Sequence, residues 1–308
     1  MRLQKFSDNA TLTIAGERRG AHTSTARLLA SLSLVTLLVG CGSAPPAPPR
    51  QLQEYHRHTS VGLEKYRDGQ IGEARNAFLR ALARAELDDD SRLIATALLN
   101  LGAAELLLDH AAEAGQAYGR ASREARLAGA GLLDWQAISG LAESARRLGQ
   151  PAKALDLFAA RPDVGKDLAP AIRLPAEVSR ARALADGGQS DTALTLLDTL
   201  IAEARKQPQP DPALAAALHA RASVMLARGN PGAARESALA ALDLDRHLHH
   251  PPSVADDHHL LATIAAVQND LPTARHHQQR AFAIFSNTGQ EKRASGSANA
   301  LKPGTQAK

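Results

Sequence analysis

An alanine returns along this chain about every forty residues. Ala74, Ala114, Ala154, Ala193, Ala234 and Ala274 lie 40, 40, 39, 41 and 40 residues apart. Four residues after each stand Phe78, Tyr118, Phe158, Leu197, Ala238 and Gln278. Three residues further come Ala81, Ala121, Arg161, Leu200, Ala241 and Ala281. Positions i, i+4 and i+7 share one face of an α-helix, so each set reads as a helix with one packed stripe. Five residues before each alanine comes Gly69, Asp109, Gly149, Gly188, Gly229 or Asn269. These residue types tolerate a left-handed backbone and commonly end a helix that must double back. A fixed period of this kind defines an array of helical hairpins that build a core by stacking on their neighbours. Alanine and leucine dominate the 44% apolar content, and both are strong helix formers. No alternating β-branched runs occur, so strands are not expected.

The first helix of each hairpin is legible too. Seven residues before each turn residue stands Gly62, Gly102, Ala142, Ala181, Ala222 or Ala262. A small residue there lets two antiparallel helices approach closely. Together with the turn glycine, the buried alanine and the aromatic after it, this pattern resembles the tetratricopeptide repeat. That repeat has a period of about 34 residues, which leaves about six extra residues per unit for longer helices or longer inter-unit loops. The resemblance implies an all-α, right-handed superhelical solenoid of about six units. They fall near residues 55–92, 93–129, 131–161, 171–206, 211–247 and 252–285, within a solenoid of 53–285, with a polar, disordered tail over 286–308. Pro162 and the glycine and prolines around it break the period, so a distorted joint is expected between the third and fourth units.

The amino terminus reads as an address. Residues 28–39 are a short apolar run preceded by Arg2, Lys5, Arg18, Arg19 and Arg27. It is too short to span a bilayer and has the layout of a secretory signal. It ends in Leu38-Val39-Gly40-Cys41, which resembles the lipobox of bacterial lipoproteins, and Cys41 is the only cysteine in the chain. The resemblance implies cleavage after residue 40 and a diacylglycerol plus an N-acyl chain on Cys41, with no other cofactor. Gly42 and Ser43 follow, without the aspartate that retains such proteins at the inner membrane. The expected location is therefore the outer membrane of a bacterial envelope, facing the periplasm. Pro45, Pro46, Pro48 and Pro49 make residues 41–52 an extended tether, reaching about 30 Å at 3.1 Å per residue.

Charge and motifs exclude several functions. Residues 1–40 carry +3 and the stretch from Ser286 onward another +3, so of the net +4 the repeat body holds about −2. No basic stripe is interleaved with aromatics, and nucleic-acid binding is not expected. Phosphate loops, nucleophile elbows and zinc-protease motifs are absent, so no enzyme activity is expected. The Asp88-Asp89-Asp90 run reads as a helix start rather than a calcium loop. His247, His249, His250, His258, His259, His276 and His277 read as a solvated surface rather than a metal site.

In a solenoid of this family the first helices line a concave binding face. By resemblance, that face carries Asn100 in unit two, and Gln136, Ser139, Glu143, Arg146, Arg147, Arg182, Asp186, His219 and Ser223 further on. Arg146, Arg147 and Arg182 would form a cationic floor suited to carboxylates. The layout is similar to tetratricopeptide outer-membrane lipoproteins such as type IV pilus pilotins and adaptors for peptidoglycan hydrolases. It implies a non-enzymatic scaffold or assembly factor that binds an envelope protein or peptide with acidic groups. The alternative is an accessory substrate-binding module of a polysaccharide or protein export system, for which Trp135 and Tyr66 are the aromatic candidates.

Overall fold

A computed structural model describes residues 50–160, 168–208 and 211–300. The signal segment, Cys41, the tether before residue 50, Arg161 and residues 301–308 lie outside the described residues. Within them the chain forms thirteen helices in sequence order: α1 (Arg50–Arg67), α2 (Ile71–Leu87), α3 (Ser91–Leu107), α4 (Ala111–Leu127), α5 (Gly131–Arg147), α6 (Pro151–Ala159), α7 (Pro170–Asp186), α8 (Ser190–Ala204), α9 (Pro212–Ala227), α10 (Pro231–His247), α11 (Pro251–Val267), α12 (Leu271–Asn287) and α13 (Glu291–Ala300). Consecutive helices pack in pairs, and the odd-numbered α3, α5, α7 and α9 also touch one another in series. This is an all-helical, tetratricopeptide-like solenoid.

The forty-residue period resolves into two equal steps. Most helices are 17 residues long, and three-residue turns join them. The extra residues of each unit therefore went into longer helices, about 25 Å each at 1.5 Å per residue. All six turn residues of the ladder have positive φ, including Gly69 at 76° and Asp109 at 61°. So do Asp89, Gly129 and His249, which lie midway between them and close the inter-unit turns, and Gly289, which lies past the last of them. Each turn is tied back by an amide reaching five residues upstream. Gln70 N donates to Lys65 O at 2.8 Å, and Gln290 N donates to Phe285 O at 2.9 Å. This is the Schellman ending of a helix. The next helix then starts on a cap. Asp90 accepts from the amides of Arg92 and Leu93, as expected for the acidic run, and Pro151, Pro212, Pro231 and Pro251 begin their helices, where a missing N–H is harmless.

The alanine ladder lies at the helix contacts. Ala74, Ala114, Ala193 and Ala234 are fully buried and Ala154 nearly so, while Ala274 is half-buried. The two glycines of the first helices serve the aromatic rung directly. A Cβ on Gly62 would come within 2.4 Å of the Phe78 ring, and one on Gly102 within 2.8 Å of Tyr118. Gly140 of α5 faces the same Tyr118 ring, at 2.4 Å from a would-be Cβ. Tyr118 thus fills a slot between the backbones of α3 and α5. At the joint, α6 is only nine residues long, against 17 for its neighbours. It packs with α5 and α7 through Trp135, Phe158, Ala154 and Ala183.

Two features depart from expectation. The region after residue 285 is not a plain polar tail: α12 runs to Asn287 and α13 follows. The turn between them and α13 both cover the end of the array, with Arg293 over the Phe285 ring at 4.4 Å and Gln278 Nε2 donating to Ser297 O at 2.9 Å. Gln278, a flawed rung in the ladder, is therefore the attachment point of the last helix. The array also returns on itself. Lys292 Nζ pairs with Asp109 Oδ2 at 2.9 Å across 183 positions. Thr288 sits so close to Gly69 that a Cβ there would come within 2.8 Å of its methyl group. The turns of units one and two thus lie against the far end of the chain, and one superhelical turn is completed within about six units.

Candidate functional site: the concave wall

The wall is built from one stripe of each odd-numbered helix. On α3 only Ser91, Arg92, Leu93, Thr96 and Leu107 escape full burial. All but Ser91 share one helix face with Asn100 and Ala103, as the spacing of 3.6 residues per turn requires. Forty residues on, the stripe becomes Gln136, Gly140, Glu143 and Arg147 on α5; on α7 it carries Arg182 and Asp186. The expected groove residues therefore do fall on neighbouring helices of one wall. They are more deeply set than a solvated groove would leave them. Asn100 is 2% exposed, and neither its amide nitrogen nor its oxygen has a hydrogen-bond partner. Gln136 and Glu143 are also buried.

The three arginines are brought together, but not as an open cationic floor. Glu143 accepts from Arg146 through both oxygens, at 2.9 Å each, and its Oε1 also accepts from Arg147 Nε at 2.9 Å. Burial opposes the charge of Glu143. Arg146, with help from Arg147 and Arg182, outweighs that and holds the carboxyl well below the usual range. The arginines then reach across the wall. Arg147 Nη1 donates to Leu106 O at 2.8 Å, at the carboxyl end of α3, where the helix dipole favours a cation. Arg146 Nη1 donates to Asp186 Oδ2 of α7 at 2.7 Å. Arg182 Nη2 approaches Ala216 O of α9 at 3.4 Å. Burial pushes the Arg182 pKa down, and Arg146 and Arg147 push the same way against the pull of Glu143. The fork-shaped guanidinium suits these bridging contacts better than a lysine would.

Two tyrosines approach the same place. Tyr66 and Tyr118 are raised in pKa by burial, Tyr66 to about 12, with Arg147 acting against the rise in both. Both rings therefore stay protonated beside the arginine cluster.

His219 on α9 has a different setting. Its Nδ1 lies 2.7 Å from Asp257 Oδ1 of α11. Burial and then Arg182 push its pKa down to about 3, so the imidazole is neutral and the contact is a hydrogen bond rather than an ion pair. Asp257 is fully buried and faces Asp245 of α10, itself 5% exposed. Burial raises both carboxyls far above the usual range. Two like charges so close in a dry interface cannot both ionise. This acid pair went unnoticed in the sequence, although a signal exists. Asp257 is in helical phase with Val254, Leu261 and Ile264, and Asp245 with Ala238, Ala241 and Leu248. A carboxylate on an apolar stripe marks a buried acid.

The histidines correct the surface reading. His258 is 3% exposed and its Nδ1 lies 2.8 Å from His277 Nδ1. Burial lowers its pKa to about 4, and that of His250 likewise. These are neutral packing groups; His247, His249, His259 and His276 are the exposed ones. Trp135 is also a core residue, 4% exposed and edge-on to Phe158 at 6.1 Å, so it does not line the groove for a sugar.

Comparison with known proteins adds the fold and no more. No family model matches the chain, and no curated protein matches it. Among solved structures, it resembles the Rap conjugation gene regulator of the plasmid pLS20 in complex with the Phr* peptide. The TM-score is 0.63 at 17% identity, over 81% of this chain and 67% of that one. It resembles NprR in complex with its cognate peptide NprX at a TM-score of 0.57 and 15% identity, over 82% of this chain and 70% of that one. PilW, a type IV pilus biogenesis factor, aligns over 80% of this chain and 99% of its own, with 18% identity and a TM-score of 0.45; that score is too low to carry an argument.

Proposed function

We propose that the chain is a non-enzymatic scaffold that holds a segment of an envelope protein along its concave wall. The observation that carries this is the polar stripe that crosses α3, α5 and α7 on one face. Asn100 supports it most directly, because a buried amide with both ends unpaired is costly unless a ligand or water completes it. Two structural neighbours of the same fold were determined with peptides bound, and the reading carries that mode over to this chain.

The anchor belongs to the same proposal. Cys41 would be lipidated, the proline-rich stretch would act as the spacer, and the solenoid would face the periplasm from the outer membrane. Acyl chains on one residue make attachment stable, since each buried methylene contributes about 0.8 kcal/mol. Among the described residues no helix is long and apolar enough to cross a membrane. Two experiments test the proposal. Wild-type protein should fractionate with the outer membrane, and Cys41→Ser should appear in the soluble periplasmic fraction. The soluble Cys41→Ser protein, used as bait in envelope extract, should retain a partner that Asn100→Leu loses. Recovery of no envelope protein would count against the scaffold, and unchanged fractionation of Cys41→Ser would count against the anchor.

A further inference from the structure

The two most exposed large apolar side chains among the described residues are Leu127 at 78% and Leu87 at 67%. Each is the last residue of its helix, α4 and α2. Both therefore stand at the same register, beside the inter-unit turns that lead into α3 and α5. The corresponding helices α10 and α12 end instead on the polar His247 and Asn287.

The seam decides which edges of the solenoid are free. The α12–α13 turn and the start of α13 lie against the inner turns of units one and two, through Thr288 at Gly69 and Lys292 at Asp109. Helix ends thus meet helix ends, and the inter-unit edge of the last unit is covered. The same edge of the first two units is open: Asp88, Asp89, Asp90, Gly129 and Gly131 are exposed there with the two leucines. Successive helices are antiparallel, so α1 runs with α3 and α5 and starts at Arg50 on this edge. Cys41 precedes Arg50 by nine residues, which span at most about 30 Å however they are arranged. The charges at the edge nearly cancel. Asp88, Asp89 and Asp90 are matched in number by Arg50, Arg92 and Arg126, while Glu54 and Glu86 are paired with Arg84 and Arg120.

We propose that Leu87 and Leu127 dip into the lipid surface next to the anchor, so that this edge of the first two units rests on the membrane. The inference depends on the reading of Cys41 as a lipidated anchor. A charge-balanced edge suits a zwitterionic headgroup layer, with burial of the leucines as the attraction. The short tether strengthens it by holding the edge at high effective concentration beside the bilayer. The far edge, which carries Val267 and Leu271, then points away from the membrane.

The test uses the full-length lipidated protein in phosphatidylethanolamine–phosphatidylcholine vesicles that contain a doxyl-labelled lipid as quencher. Arg126→Cys places a fluorophore beside Leu127, and Gln268→Cys places one on the far edge; the new thiol is the only free one, since lipid occupies Cys41. The expected result is strong quenching at position 126 and little at 268. Leu87→Ser and Leu127→Ser should each lower the ratio of docked to free edge about tenfold. The double variant should lose the quenching while it stays on the vesicles, with an unchanged melting temperature because both side chains are exposed. Equal quenching at 126 and 268 in protein retained on the vesicles would overturn the docking and leave the anchor standing. Quenching that survives in the double variant would also overturn it. Protein with no lipid on Cys41 would overturn both readings. A fluorophore at 126 that is insensitive to the lipid quencher and shielded only at high protein density would show that a second copy of the chain covers the edge, and would overturn the lipid assignment.

Discussion

Gly140→Ala should destabilise the solenoid although alanine is the better helix former. The Cβ would lie 2.4 Å from both Cε1 and Cζ of Tyr118 and 2.6 Å from Cδ1. Carbon atoms pack at about 3.5–4.0 Å, so the ring would have to move by more than 1 Å. It has nowhere to go, because Gly102 of α3 holds the opposite side of the slot and Tyr118 is 3% exposed. Overpacking of this kind costs about 1–3 kcal/mol or somewhat more, and the gain in helix propensity offsets about 1 kcal/mol. The net loss should be about 2 kcal/mol. Gly119→Ala is the internal control: it lies in the middle of α4, where the nearest atom to a new Cβ is 3.9 Å away, and it should gain about 0.8 kcal/mol. Urea unfolding reads both. At a slope of about 2 kcal/mol/M the midpoint should fall by about 1 M for Gly140→Ala and rise by about 0.4 M for Gly119→Ala. Tyr118→Leu should lessen the cost of Gly140→Ala, giving a coupling energy of about 1–2 kcal/mol. A Gly140→Ala protein as stable as wild type would refute the slot. The result also bears on the groove, since Tyr118 and Arg147 interact electrostatically.

Other outcomes follow from the acid pair and from the seam. The folded chain holds the Asp245 and Asp257 protons more tightly than the unfolded chain does, so their stabilisation is complete below about pH 4 and is lost as pH rises toward about 8. The melting temperature of Asp245→Asn minus that of wild type should therefore climb across that window; a flat difference would rule out the buried pair. Gly69→Ala should cost about 1 kcal/mol from its positive φ and more from contact with Thr288. Thr288→Ala should restore only the second part, and equal losses in both backgrounds would mean that the seam is open in solution. Asp90→Ala should cost about 1 kcal/mol by removing the cap of α3, read in the same urea titration.

Much of the fold was legible because its cause is local and periodic. A left-handed turn every forty residues needs Gly, Asn or Asp, and Gly69, Asp109, Gly149, Gly188, Gly229 and Asn269 supply it. Of the midway turns only His249 adopts that backbone without one of these residue types; Asp89 and Gly129 carry the same signature half a period out of step. Pro162 disclosed the short α6, since a proline stops a helix by its own covalent geometry. The stripe from Asn100 to Arg182 was also within reach, because helical phase decides which residues share a face.

What lies across the stripe depends on neighbours that no local pattern encodes. Arg146 and Arg147 read as free cations until Glu143, one turn earlier on the same helix, is seen to take both. Arg182 and Asp186 become part of that network only when α7 is laid against α5. The burial of Asp245 and of Asp257 is written in their helical phase, but that they face each other, like the neutral His219 and the buried His258, follows from how the later units pack. The approach of Lys292 to Asp109 follows from superhelical curvature, a sum of small rotations at every joint. Helix and turn identity, set by residues a few places apart, could be read from the sequence; charge state and exposure, set by distant residues that share one dielectric, were decided by the tertiary packing.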